Sequence, residues 1–319
     1  MIMSTWLDRP LSIAGRVMVK DETGIRSVLV NLDRDSVLIP NMPIHFNRDI
    51  NSGYNFNAQT DMLPLFGDDA SKGMLAQQVA AACGADEHTG VLEIGPGSGM
   101  LTKHLCPHAG KVLAVEVDHD IIPFLKVNTA AFSNLEIVEG DIRKQDLREL
   151  CSPLGENFLV IANIPYNITT PIFEALWESG LPIRQISVMI QKEVAEKLMA
   201  APSAASYGLM SVKCQYYCTP WLECIVPAEK FTPPPKVDSA FVHLTMNGSR
   251  SAEVQNERRL FSLLRAGFNL RRKTLSNALR SAVEPEALKA AMEQAGISPT
   301  ARAEELSVEE WIRLANACS

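Results

Sequence analysis

The sequence predicts an α/β protein: a central domain on a parallel sheet with helices on both faces, a β-rich segment in front and a small helical domain behind. Three observations carry this. Between residues 91 and 199, short apolar runs of strand length alternate with amphipathic stretches of helix length, the pattern of repeated strand–helix units. Ahead of them, β-branched runs are separated by turn residues. After Asn247-Gly248-Ser249 the helical period continues with no further strand.

In order along the chain, LSIAGRVMVK (11–20) and SVLVNL (27–32) read as strands joined through Asp21-Glu22-Thr23-Gly24, a turn composition. An Asn-, Gly- and Asp-rich stretch up to about residue 69 reads as loop. MLAQQVAAACGA (74–85) suits an amphipathic helix ending at Gly84. Strands follow at 91–95, 112–117, 135–138, 158–162 and 186–190, with 239–245 a further candidate. Helices are expected at about 99–106, 119–130, 170–178 and 191–199. The last part gives helices at 253–268, 271–281, 285–295 and 307–317. Domain boundaries are accordingly expected at 1–67, 68–248 and 249–319.

With 319 residues, 46% hydrophobic and 21% charged, the chain fits a globular protein of about two domains. No apolar run approaches the roughly 20 residues of a membrane span. MIMSTWLDRP has neither a basic nor an apolar leader region, so no secretory signal is expected and the expected location is cytoplasmic. Of seven cysteines, Cys214, Cys218 and Cys224 lie closest together. They offer one metal-like spacing with no second pair, so reduced core thiols are expected and no metal site. The net charge of −7 argues against a surface coated with nucleic-acid-binding charge. Locally, however, Arg258, Arg259, Arg265, Arg271, Arg272, Lys273 and Arg280 run without an acid between them. This reads either as a solvated helical face or as a phosphate-binding stripe.

The chemistry-bearing residues cluster at predicted strand ends. In Glu93-Ile94-Gly95-Pro96-Gly97-Ser98-Gly99 a strand enters a glycine turn that opens a helix. Glycines permit positive φ and close approach of a ligand to the backbone. Met100 stands where the dinucleotide fingerprint requires a third glycine. The resulting G-x-G-x-G preceded by an acid is the form used by class I S-adenosylmethionine-dependent methyltransferases, a Rossmann-like fold. Glu116 ends the next strand, about 20 residues on, where a carboxylate can accept both hydroxyls of a ribose. Asp141 follows a strand and a glycine, positioned to accept from an adenine amine, with Ile142 beside it to pack on the ring.

Asn163-Ile164-Pro165-Tyr166 closes the fourth strand. An adenine N6 amine is a poor nucleophile because its lone pair is delocalised into the ring. The Asn163 side-chain oxygen and the Pro165 carbonyl can accept its two N–H groups, freeing the lone pair toward a methyl donor. Tyr166 offers a stacking face for an extruded base. Phe231, on the proline-stiffened loop Phe231-Thr232-Pro233-Pro234-Pro235-Lys236-Val237-Asp238-Ser239, offers a second.

Taken together, EIGPGSG, the spaced Glu116 and Asp141, NIPYNITTPI, VMIQKEVAEKL and FTPPPKVDSAFVHL resemble the ribosomal RNA adenine N6-dimethyltransferase family over about residues 72–319. The resemblance is nearest to its bacterial small-subunit branch. It implies a methyltransferase domain, a helical domain that grips RNA, and S-adenosyl-L-methionine as cofactor. It also implies transfer of methyl groups to two adjacent adenosines near the 3′ end of small-subunit rRNA, and a monomer acting on immature small subunits without metal. By the same resemblance Glu93, Gly95, Gly97, Gly99, Glu116, Val117, Asp141, Ile142 and Asn163 hold the cofactor. Asn163, Pro165, Tyr166 and Phe231 handle the base, and Arg271, Arg272 and Lys273 meet RNA phosphates. One departure lies at Phe66-Gly67. Members carry F-G-Q-N-F-L there, whereas Asp68-Asp69-Ala70-Ser71 follow here. That leaves a catalytically weak or inactive RNA-binding or ribosome-assembly factor as the alternative reading. Residues about 4–68 resemble a fragment of the aspartyl aminopeptidase family. Nearly all of its ligand-bearing segments are missing, and His45 alone cannot hold a catalytic metal.

Overall fold

The computed structural model describes residues 10–21 and 24–38 as backbone, and 79–164, 168–228, 235–248 and 253–318 in full. The chain divides into two units, Met1–Met74 and Leu75–Ser319. In the first, β1 (Pro10–Asp21) and β2 (Gly24–Leu38) pair antiparallel from Asp21↔Gly24 out to Pro10↔Leu38, with an irregularity between Leu11 and Ile13. The second strand outruns its expected end at 32. Beyond Leu32 the pairing is interrupted over residues 33–36, opposite the irregularity between Leu11 and Ile13, and resumes at Val37 and Leu38.

The second unit holds a seven-stranded sheet. Its strands are β3 (Gly90–Ile94), β4 (Lys111–Glu116), β5 (Leu135–Glu139), β6 (Phe158–Asn163), β7 (Ile183–Gln191), β8 (Cys218–Val226) and β9 (Ser239–Met246), in the order β5-β4-β3-β6-β7-β9-β8. The first five are parallel, as the strand–helix alternation predicts. The last two are antiparallel, so the sheet is mixed rather than wholly parallel. β8 is absent from the sequence reading for a physical reason. It is an edge strand, exposed from Trp221 to Ile225 and carrying Pro220, and an edge needs neither an apolar pattern nor every backbone donor.

The inner parallel strands β3, β4 and β6 are buried on both faces and largely apolar, whereas the edge strand β5 is only partly buried. On one face Leu92, Ile94, Val160 and Ala162 pack with Phe173 and Trp177 of the helix Thr169–Glu178 and with Leu198 of the helix Lys192–Met199. On the other, Val91, Leu159 and Ile161 meet Val79 and Ala80, from the helical residues 79–82, and Leu105 from the short helix Thr102–Leu105.

The C-terminal helices, Glu257–Asn269, Leu275–Ala278, Pro285–Ala295 and Val308–Ala317, surround a separate apolar cluster that includes Leu263, Leu264, Leu288 and Trp311. Pro285 starts one helix and left-handed Gly296 ends it. Ser307 and Glu310 form a reciprocal cap on the last. The expected helix 271–281 contracts to Leu275–Ala278, because the Leu275 N–H is drawn to the Ala301 carbonyl at 2.7 Å. Lys213, on the helix Leu209–Tyr217, joins this layer to the sheet layer. Its ammonium is 2.7 Å from Glu174 and 3.2 Å from Glu178 and lies over the Phe261 ring. Among the described residues no helix is long and apolar enough to cross a membrane, and no group of His, Cys, Asp and Glu is arranged to hold a metal ion.

Candidate active site

After β3 the chain moves outward to β4 and β5; it then returns to the far side of β3 as β6. The carboxyl ends of β3 and β6 thus flank the topological switch point, where open α/β sheets bind ligands. Gly95, after β3, donates its N–H to the Val115 carbonyl at 3.0 Å and takes φ +69°; Gly97 takes φ +57°. Among the described residues, a Cβ at Gly95 would meet nothing nearer than the Asn163 carbonyl oxygen at 4.0 Å, and one at Gly97 nothing nearer than Ile121 at 4.0 Å. Among the described residues the floor of the turn is therefore open. Gly99 differs. A Cβ there would lie 2.9 Å from Leu125 and 3.0 Å from Thr129, so its smallness lets the helix Ile122–Asn128 pack close beneath the turn. Asn128 reinforces that contact by donating to the Ser98 carbonyl at 2.8 Å, a brace that nothing in the sequence signals.

The Glu116 carboxylate ends β4 and is buried. Oε2 accepts the Gly97 N–H and Oε1 the Asp118 N–H, both at 2.9 Å. Each oxygen keeps acceptor capacity for one more donor. Val117, next in line, is exposed. Gly140 donates to the Glu116 carbonyl at 2.7 Å and so brings Asp141 beside that strand end. Asp141 caps the short 3₁₀ turn Ile142–Lys144, and its carboxylate is forked by the Arg143 guanidinium. Those hydrogen bonds hold its pKa down at about 2. Ile142 is buried in the sheet core. Glu93 lies fully inside β3, with Oε2 unpartnered among the described residues. Burial pushes its carboxyl up to about 8, the Thr102 hydroxyl opposes that, and the Glu116 carboxylate adds to it.

Asn163 is the last residue of β6 and is exposed, in register with Met189. Pro165, Tyr166 and Phe231 lie outside the described residues, as do His45 and the Phe66–Ser71 stretch. Far along the chain, Arg271, Arg272 and Lys273 are exposed. Arg271 is committed to other contacts: it is ion-paired with Glu304 and donates to the Ala205 carbonyl at 3.1 Å. Arg272 and Lys273 have no ion pair among the described residues.

The strand order and the acid-preceded glycine turn at its switch point define a class I S-adenosylmethionine-dependent methyltransferase. A profile described as ribosomal RNA adenine dimethylase matches residues 72–319. The ribosomal RNA small subunit methyltransferase A of Lachnoclostridium phytofermentans is 42% identical, over 71% of this chain and 80% of that protein. The protein of the same name from Shouchella clausii is 41% identical, over 75% and 83%. Among solved structures, a dimethyladenosine transferase from Plasmodium falciparum superposes with a TM-score of 0.62 at 27% identity, over 75% of this chain and 93% of that one. The 23S rRNA methyltransferase ErmE shares the fold, with a TM-score of 0.58 at 24% identity, over 79% and 98%. The chain belongs to the ribosomal RNA adenine dimethylase family. A second profile, described as aminopeptidase I zinc metalloprotease (M18), matches residues 1–92.

Proposed function

We propose that this chain transfers methyl groups from S-adenosylmethionine to the N6 of two adjacent adenosines near the 3′ end of small-subunit rRNA. The observation that carries the reading is the pairing of an open glycine floor with Asn163 directly across the switch point. The donor set fits the methyl donor's nucleoside. Glu116 retains one acceptor position on each oxygen for two ribose hydroxyls, and Asp141 lies at the next strand end to accept from an amine. S-adenosylmethionine supplies an electrophilic methyl carbon on a sulfonium.

The chain's own residues do the rest. The Asn163 side-chain oxygen and the Pro165 carbonyl accept the N6–H groups of the target adenine, two before the first transfer and one before the second. This draws electron density back onto nitrogen and orients its lone pair. Each transfer would break the sulfonium C–S bond to leave a thioether, and one N6 proton would pass to solvent. Positioning and a preorganised acceptor pair provide the acceleration. Tyr166 and Phe231 hold the extruded base by stacking. Glu93, Gly95, Gly97, Gly99, Val117 and Ile142 complete the wall around the methyl donor. Some of them act through packing, as the tight fit behind Gly99 suggests.

In this reading residues 68–248 form the catalytic domain and 249–319 the domain that grips RNA, with Arg272 and Lys273 reaching phosphates. Residues 1–67 form a separate segment. The substrate is the immature small subunit, and the enzyme acts as a cytoplasmic monomer without metal. The test uses the purified full chain, tritiated S-adenosylmethionine and small subunits lacking these methyl groups. Incorporation approaching four methyl groups per subunit, two on each adenosine, is expected. Tight subunit binding without incorporation overturns the reading.

A further inference from the structure

The proposed role of Asp141 leaves an accounting question. A carboxylate has about four acceptor positions. Oδ1 of Asp141 accepts the Arg143 backbone N–H at 3.0 Å and the Arg143 Nε–H at 2.9 Å. Oδ2 accepts from Arg143 Nη2 at 2.6 Å. Three positions are therefore taken by one residue, and one remains, on Oδ2. The carboxylate side chain is 15% exposed and the arginine 42%, so the remaining position sits at the protein–solvent boundary. Both ends of the device are fixed. The Asp141 backbone is tethered to β4 through Gly140, and the aspartate's cap on the 3₁₀ turn sets the arginine two residues on.

We infer that Arg143 is a positioning residue that makes Asp141 a single-site acceptor for the exocyclic amine of the methyl donor's base. The inference rests on the proposed function, in which Asp141 accepts that amine. A forked guanidinium fixes both the rotamer and the plane of the carboxylate. An unrestrained aspartate turns about its terminal torsion and offers any of its positions. The fork leaves one position in one direction. A purine with an amine at position 6 donates to it; a purine with a carbonyl there presents a second acceptor and is repelled. Arg143 thereby acts on base discrimination without touching the base.

The test measures binding by calorimetry with two unreactive probes, S-adenosylhomocysteine and S-inosylhomocysteine, which differ in amine against carbonyl. The proteins are the full-length wild type, Arg143→Gln, Arg143→Lys and Asp141→Asn. The wild type should prefer the adenosyl probe. Both arginine variants should lose about tenfold of that preference, because neither glutamine nor lysine forms the fork. Arg143 is a surface side chain, and circular dichroism confirms that each variant is folded. An unchanged preference in both arginine variants, or tighter adenosyl binding in them, overturns the inference, the latter by showing that Arg143 competes for the carboxylate. Asp141→Asn separates this failure from a deeper one. If it abolishes the preference while the arginine variants keep it, only the role of Arg143 falls. If it too keeps the preference, the assignment of Asp141 to the base falls as well.

Discussion

The backbone N–H of Gly97 donates to Oε2 of Glu116 across 2.9 Å, so the glycine turn after β3 is held by the acid at the end of β4. One carboxylate both shapes the turn and keeps acceptor positions for a ligand. Glu116→Ala should therefore weaken S-adenosylmethionine binding by about 1.5–3 kcal/mol, the range for hydrogen bonds to a charged group. Calorimetric titration of the purified variant checks it. A dissociation constant within twofold of wild type assigns Glu116 to the turn alone.

Glu93 predicts a pH effect on stability. Its carboxyl is raised from 4.5 to about 8 in the folded chain. Between those values the unfolded chain has released the proton while the folded chain keeps it, so stability falls as pH rises through this window and levels off above it. Glu93→Gln mimics the neutral form and should flatten that slope. Chemical denaturation of both proteins at pH 5, 6.5 and 8 checks the sign. A wild type that gains stability across the window through this residue contradicts it.

Gly267 lies within the helix Glu257–Asn269, where alanine ordinarily stabilises by about 1 kcal/mol. Here a Cβ would come within 2.7 Å of the Trp311 ring and 3.3 Å of Ala303. Trp311 is fully buried and has no room to yield. Gly267→Ala should reverse the usual sign and destabilise by about 1–3 kcal/mol, read as a lower denaturation midpoint.

The basic residues after that helix should behave unequally. Arg271 is bonded to Glu304 and the Ala205 carbonyl, so Arg271→Ala should lower stability by about 1 kcal/mol. Arg272→Ala with Lys273→Ala should leave stability unchanged and weaken RNA binding. The double variant should reduce the slope of log affinity against log salt by roughly 1.5. Filter binding across a salt series distinguishes the two cases.

The inner parallel strands were legible because burial on both faces makes them continuous apolar runs, as in Val112–Val115 and Leu159–Ala162. β8 was not, since Trp221-Leu222-Glu223 at an exposed edge obeys no such pattern. The places of the acids were legible through spacing: Glu116 ends β4, and Asp141 follows β5 after one glycine. What escaped the sequence were the partners of those acids. Arg143 on Asp141 and Asn128 under the turn are ordinary surface residue types until folding brings them into contact. The stripe from Arg258 to Arg280 likewise read as uniform charge, and only tertiary packing separates Arg271 from its neighbours.

The central claim is that Asn163, across the open glycine turn, activates the adenine amine. Its most direct test is the single-turnover rate of methyl transfer by Asn163→Ala, at saturating S-adenosylmethionine and small subunits, with thermal melting confirming the fold. Loss of an acceptor aimed at the reacting nitrogen predicts a rate reduced by about 10²–10³-fold. A variant that folds normally and produces N6,N6-dimethyladenosine at the wild-type rate contradicts the account.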